Sequence, residues 1–403
     1  MLSADHFFSH LLSQLPDHPR DPEALAALAF LDSKPLPKHQ ESWRFTDLSA
    51  LLAQSWQLAP QPSLPAPPPP LNCFGNQPHH LLWVTNGYSD STIPPELQPY
   101  SATLPSFLDE FIALNVLCAS QPLHLQVKET LTVPLVIVYD TALGISAHPQ
   151  VILDIAPHVH LTLIEWFQGQ GWSNSLTHLA LGAGSRLHHT RWQDQDRESG
   201  IHIGHTQVLQ ARDSHYQLTA LHTGSCLSRH NLSITSQGSG THTDLKGLTW
   251  IQGQQISDTH SSLTFEQPHS SSRHLHKNVV QDQAHAIFCG RIHVQPAAQR
   301  TDASQTSRTL LLSAKARVDT QPQLEIQADD VKCSHGATVS ELDPDLIFYL
   351  QSRGIPKPQA RTMLVQSFIS EILSSGSLPW LNRLSTPAES PPSGNLCAHK
   401  EQN

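Results

Sequence analysis

The stretch Ala328–Thr338, Ala-Asp-Asp-Val-Lys-Cys-Ser-His-Gly-Ala-Thr, holds the residue types best suited to chemistry in this chain. In an extended segment successive side chains alternate faces, so Cys333 and His335 project from one side. A thiolate and an imidazole so placed are ligands for iron, zinc or copper. They amount to half a site, because a tetrahedral metal takes about four ligands. No CxxC and no second tight Cys/His cluster lies nearby to complete it. Taken alone, Cys-x-His is a weak signal, more often met as an inert buried cysteine beside a surface histidine.

The pair closes a long β-rich region. Strand-like runs recur at Leu131–Tyr139, Val151–Ile155, Leu161–Phe167, His178–Leu181, Leu187–Trp192 and Gly204–Gln210. They continue at Tyr216–Leu221, Asn231–Thr235, Leu245–Ile251, Ser262–Phe265, Ala286–Val294 and Leu324–Ile326, with Gly, Ser, Asn and Asp turns between. Helical periodicity is almost absent from Leu131 to Lys332. Such a pattern fits an antiparallel sandwich or a parallel β-helix, and periodicity alone does not separate them. A run of roughly two hundred residues exceeds an ordinary sandwich of ~100, which favours a solenoid.

Flanking segments read as helical. Leu11, Leu12, Leu15, Leu25, Leu28, Phe30 and Leu31 form an apolar stripe over residues 3–31, broken at Pro16 and Pro19–Pro22. Trp43 and Phe45 read as anchors that pack a peripheral segment on the core. Short strands and turns follow from Leu81 to Thr103, then a short helix from Phe107 to Cys118. Beyond Lys332, Ser340–Asp343 and Pro344 start a helix that carries Leu346, Ile347 and Leu350 and stops at Gly354 and Pro356. A second helix runs from about Pro358 to Ser375, with Leu364, Phe368 and Ile372 on one face. The organisation expected is an N-terminal helical segment (1–59), a Pro-rich linker (60–70), a mixed connecting region (71–130), a β-helix core (131–335), a C-terminal helical domain (336–380) and a disordered tail (381–403).

Composition narrows the function. A formal net charge of -10 argues against a nucleic-acid footprint. No apolar run approaches the roughly 20 residues that span a bilayer, and Met1–Gln14 lacks a basic n-region, so the expected home is the cytoplasm. Six scattered cysteines fit reduced thiols rather than a disulfide framework. Of 27 histidines many fall between His202 and His293, and surface polar filling is the reading preferred to metal storage. No phosphate loop, GxGxxG, HExxH or GxSxG motif is present, so any ATP hydrolysis belongs to another chain. Glu325, Asp329 and Asp330 invite an alternative, a β-helix polysaccharide lyase or glycosidase. Adjacent Asp329 and Asp330 would point to opposite faces of a strand, so turn formation is the plainer role.

The run Phe288–Ile355, with Phe-Cys-Gly-Arg-Ile-His-Val, Gln-Thr-Ser-Arg-Thr-Leu-Leu-Leu-Ser, Lys-Cys-Ser-His-Gly-Ala-Thr-Val and Phe-Tyr-Leu-Gln-Ser-Arg-Gly-Ile, resembles the SufB/SufD family of iron–sulfur cluster assembly proteins, closest to the SufD branch. Residues 37–48, Pro-Lys-His-Gln-Glu-Ser-Trp-Arg-Phe-Thr-Asp-Leu, are similar to the amino-terminal signature of the same family. The resemblance implies a right-handed parallel β-helix and a non-enzymatic scaffold subunit. It also implies a SufB-like paralogue as pairing partner and a SufC-like ABC-type ATPase on the carboxy-terminal helices. The Cys and His of the family motif fall on Cys333 and His335, at the pairing interface, where they bear on the admission of iron or on a nascent cluster shared transiently with the partner. No nucleotide is expected on this chain, nor a nucleic acid or membrane partner. The amino-terminal end of the β-helix is expected to be covered by the preceding helices and linker. The carboxy-terminal end near Leu324–Lys332 is left to pair with the paralogue, or with a second copy in its absence.

Overall fold

Ten-residue strands, most of them polar on one side of the ladder or the other, wind the chain into two parallel sheets. The computed structural model describes residues 7–15, 22–32, 40–60, 78–89, 93–100 and 109–373. The Pro-rich linker after Pro60, the tail from 381 and the proline break at 16–19 lie outside the described residues.

Sheet A orders Arg317–Ile326, His285–Val294, Ile256–Phe265, Leu227–Ser236, Ile201–Gln210, Trp172–Leu181, Gln150–Ile155 and Leu123–Val127. Sheet B orders Lys332–Glu341, Asp302–Leu311, Ser271–Val280, His242–Ile251, His215–His222, Arg186–Gln193, His160–Gly169, Leu135–Thr141 and His80–Thr85. The chain visits A and B alternately, one strand of each per coil, which makes the core a parallel β-solenoid. Corner residues such as Asp213 (φ 57) and Asp282 (φ 59) take the left-handed conformation that Asp tolerates. The sheets extend past residues 131–335 at both ends, from His80 to Glu341, and residues 336–341 complete the last strand instead of opening the helical unit.

Two strands, Ser271–Val280 and Asp302–Leu311, have no counterpart among the sequence-derived runs. Their inward positions hold Ser272, His274, His276, Asn278, Gln305, Ser307 and Thr309 in place of aliphatic residues, which hides them from apolar patterning. The same feature corrects the reading of the histidines as surface filling. His202, His222, His230, His274 and His276 are buried, and all five occupy inward positions of the strands. Two of them hydrogen-bond to threonines on adjacent coils, His230 Nε2 with Thr206 Oγ1 at 3.0 Å and His276 Nε2 with Thr249 Oγ1 at 3.1 Å. Leu153, Leu163, Leu179, Leu218 and Leu263 supply the apolar part of the same interior. At its polar centre Glu165 accepts from Tyr139 Oη at 2.8 Å and lies 2.9 Å from His189 Nε2. Burial alone would raise the Glu165 carboxyl, but His189, Arg191 and Tyr139 together hold it below the ordinary value.

The N-terminal helices α1 (Phe7–Leu12), α2 (Pro22–Asp32), α3 (Ser49–Leu52) and α4 (Glu110–Cys118) belong to a second apolar layer. Phe7, Trp43, Trp56 and Phe111 pack with Trp172, Ile201, Ile203 and Leu227, which are outward residues of sheet A. These helices therefore cover a face of the solenoid, not its amino-terminal end. That end is closed by two short antiparallel strands, Leu97–Pro99 on sheet A and Tyr88–Ser89 on sheet B. Trp43 is the anchor, 2% exposed, whereas Phe45 is only half-buried. The Arg229 guanidinium lies 3.9 Å from the Trp43 ring and 2.5 Å from Asp258, which also accepts from Thr46 Oγ1.

Helix α5 (Pro344–Ser352) is capped by Asp343, whose Oδ1 accepts from Asp345 N at 2.8 Å, with Pro344 at the first position. Helix α6 (Lys357–Leu373) lays Val365, Ile369, Ile372 and Leu373 on Trp250, Val279 and Leu310 of the outer face of sheet B. Burying each such side chain contributes about 1.5–3 kcal/mol. Lys277 fixes the register, donating to Phe368 O at 2.6 Å and pairing with Glu371 at 2.7 Å.

Candidate functional site

Lys332–Glu341 pairs with Asp302–Leu311 in a register that sets Cys333 beside Ala303 and His335 beside Gln305. Ala303 and Gln305 are 1% and 2% exposed and face the interior, so Cys333 and His335 face it as well. Cys333 packs against the interior apolar cluster together with Leu324. The two residues share one strand face, as the alternation of an extended segment requires, about 7 Å apart along the strand. Cys333 is half-buried and His335 exposed. Burial pushes the Cys333 thiol up, a hydrogen bond with the Ala303 backbone draws it down, and the Asp302 carboxylate raises it again. A metal bound there would displace that proton.

This strand ends sheet B, and no described strand pairs with its outer edge; the same holds for Arg317–Ile326 in sheet A. Ile326 and Val339, inward by register, are 42% and 50% exposed, and no further coil follows them among the described residues. The carboxy-terminal end of the solenoid is thus a double edge with apolar and metal-ligating residues turned into its mouth. Among the described residues no group of three or more His, Cys, Asp and Glu is arranged to hold a metal. By donor type a thiolate and an imidazole are groups that iron can accept as ligands, and two of them make half of a four-ligand site.

The carboxylates of the alternative reading do not converge. Glu325 pairs with Arg291 at 3.3 Å on the outside of sheet A. Asp329 and Asp330 lie in the bend between the last two strands, where Asp330 O accepts from Arg300 N at 2.6 Å. On the helices, Leu346, Phe348 and Tyr349 of α5 are 49%, 72% and 54% exposed, an apolar patch flanked by the Arg353 guanidinium 5.4 Å from the Tyr349 ring. Sequence reasoning did not single out the outward polar row of sheet A, His205, Asn231, His260, Cys289 and Gln321, each one coil from the last. Its spacing becomes readable only once the length of each coil is known.

A parallel solenoid that ends in a Lys-Cys-Ser-His-Gly edge strand and two helices defines a class of protein, and the comparisons agree. The family model described as SUF system FeS cluster assembly, SufBD core domain, matches residues 138–368. The chain belongs to the SufBD family, and its role lies in iron–sulfur cluster assembly. It is 33% identical over 388 residues to an iron-sulfur cluster assembly SufBD family protein of Synechocystis, covering 86% of this chain and 85% of that one. It is 35% identical over 231 residues to the iron-sulfur cluster assembly protein SufD of Escherichia coli, covering 56% of this chain and 54% of that one. To the chloroplastic protein ABCI7 of Arabidopsis thaliana it is 36% identical over 233 residues, covering 56% and 49%. No described helix is long and apolar enough to cross a membrane.

Proposed function

We propose that this chain is a non-enzymatic scaffold subunit of a cytoplasmic iron–sulfur cluster assembly complex. Its solenoid mouth pairs with a SufB-like paralogue, and α5 and α6 carry a SufC-like ABC-type ATPase that hydrolyses the ATP. The observation that carries the reading is the position of Cys333 and His335, turned inward on a strand whose other edge is free. Unpaired backbone donors and acceptors on two ten-residue edges favour strand addition. A chain added there covers Ile326 and Val339 and brings its own ligands toward the Cys333–His335 pair. Iron or a nascent cluster is then held transiently by both chains, as cargo. In the absence of the paralogue a second copy of this chain takes the same edge.

The exposed apolar patch of α5 supports the ATPase contact, since such patches mark protein partners. The test is co-purification from cells expressing the neighbouring subunits, with identification of what is retained. The expected result is that both partners are retained by the native chain, and that the ATPase alone is lost when residues 342–403 are deleted. Retention of the ATPase by the shortened chain would overturn the assignment of α5 and α6.

A further inference from the structure

A cleft of about 640 Å³ opens on the outer face of sheet A, roofed by Gln40–Trp43 and by the start of α4. It lies on the outside of sheet A and reaches Gln321 and Gln323 of the edge strand, whereas Cys333 and His335 face the solenoid interior. Its floor holds two buried polar atoms without a well-formed hydrogen bond, His205 Nε2 and Gln207 Oε1, on residues 2% and 7% exposed, the second with the His178 imidazole of the adjacent coil beside it. Both residues are outward on Ile201–Gln210, in line with Ile201 and Ile203, and both line the cleft. Leaving a buried polar atom unpaired is unfavourable, so a fold that keeps two in one cavity invites a ligand that satisfies them.

The charges around the cleft define that ligand by exclusion. Arg229 is paired with Asp258 at 2.5 Å, and His260 Nε2 lies 3.0 Å from the other Asp258 oxygen. Arg291 is paired with Glu325 at 3.3 Å, and His205 Nδ1 lies 3.5 Å from Asp109. Every cation on the floor already has its carboxylate, so nothing is left to neutralise a phosphate or carboxylate ligand. The open capacity of the floor is neutral, one amide oxygen, one imidazole nitrogen and the side chains of Ser233, Gln321 and Gln323 around them, while the Glu41 carboxylate stands exposed at the rim.

We propose that this cleft binds an uncharged molecule rich in hydroxyl or amide groups, anchored by His205 Nε2 and Gln207 Oε1. A hydroxyl donates to Gln207 Oε1, and at His205 Nε2 it donates or accepts, which satisfies either imidazole tautomer. An amide meets both atoms through its N–H and C=O groups. The volume falls within the range of small-molecule sites. The proposal does not rest on the pairing or ATPase assignments.

Saturation-transfer NMR on the full chain distinguishes the two sources, with trehalose as the polyol probe, N-acetyl-alaninamide as the amide probe and inorganic phosphate as competitor. The expected result is transfer to one probe, unaffected by phosphate. Transfer should weaken at least about tenfold in Gln207→Met, which removes the acceptor, and in Ser233→Trp, which fills the half-buried side of the cleft. Transfer to trehalose alone identifies a polyol site, and transfer to the amide alone an amide site. No transfer to either probe at millimolar concentration overturns the proposal, as does transfer that survives both substitutions or is displaced by phosphate.

Discussion

His335 stands beside Gln305 in the last rung of sheet B, the histidine exposed and the glutamine 2% exposed with its Oε1 unpartnered. A single ladder step therefore separates solvent from sealed interior. Under the proposed pairing, a chain added on Lys332–Glu341 would give His335 the enclosed surroundings that Gln305 already has.

The first expectation concerns that pair. Cys333→Ala and His335→Ala should each abolish cluster assembly in cells while shifting stability little, within about 0.5 kcal/mol for exposed His335 and about 1 kcal/mol for half-buried Cys333. Complementation of a strain lacking the native subunit, alongside thermal melting, measures both. Normal assembly by the two variants would remove the pair from the mechanism.

On α5, Phe348→Asp and Tyr349→Asp should leave the melting temperature nearly unchanged and weaken capture of the ATPase. Both side chains are more than half exposed, so their loss removes no core contact. Ile369→Asp, at a fully buried position against sheet B, should instead detach α6 and cost several kcal/mol. Pull-down with purified ATPase, read beside melting curves, separates the two classes.

Arg229 holds the N-terminal layer to the solenoid through Trp43, Thr46 and Asp258. Arg229→Ala takes the guanidinium from the Asp258 carboxylate, 1% exposed, and leaves it Thr46 Oγ1 and the His260 imidazole. The expected cost is about 3 kcal/mol in urea unfolding, the low end for a broken buried pair. Asp258→Asn should cost less, because an amide oxygen still accepts from Arg229. Equal stability of Arg229→Ala and the native chain would show that the layer is held by apolar packing alone.

The β-rich character and the shared face of Cys333 and His335 were legible in the sequence, because alternation in a strand follows from backbone geometry alone. The face itself was not, since it depends on the register that sets Cys333 beside Ala303, thirty residues earlier in the chain. Aliphatic runs such as Leu135–Thr141 announced themselves, whereas Ser271–Val280 did not, its inward side chains being imidazole, hydroxyl and amide. Trp43 was recognisable as an anchor. Its partner Arg229 was not, because contacts between distant coils leave no local pattern.

Acid should unfold the protein early. Burial holds His148 and His222 down to about 3, with Arg191 adding to the effect at His222, and holds His274 down to about 4. In the unfolded chain these groups titrate near ~6.5. Below that pH the unfolded state takes up protons that the folded state refuses, so stability is full above about 6.5 and falls as pH drops toward the folded values. Three such groups remove about 4 kcal/mol per pH unit between roughly pH 6 and 4. Urea midpoints at pH 7.5, 6 and 5 measure the slope, and a flat profile would mean that the interior imidazoles accept protons without unfolding.

Among the described residues the strand Lys332–Glu341 has Asp302–Leu311 as its one template. Synthesis delivers the amino-terminal coils first, and a solenoid grows by adding each coil to the one already formed. Cys333 and His335 thus stand on the last-made coil, and their strand finds its template once Asp302–Leu311 has folded. A chain cut before that coil has no ordered thiol–imidazole pair. The ordering of the two side chains is thereby tied to the winding of the solenoid itself.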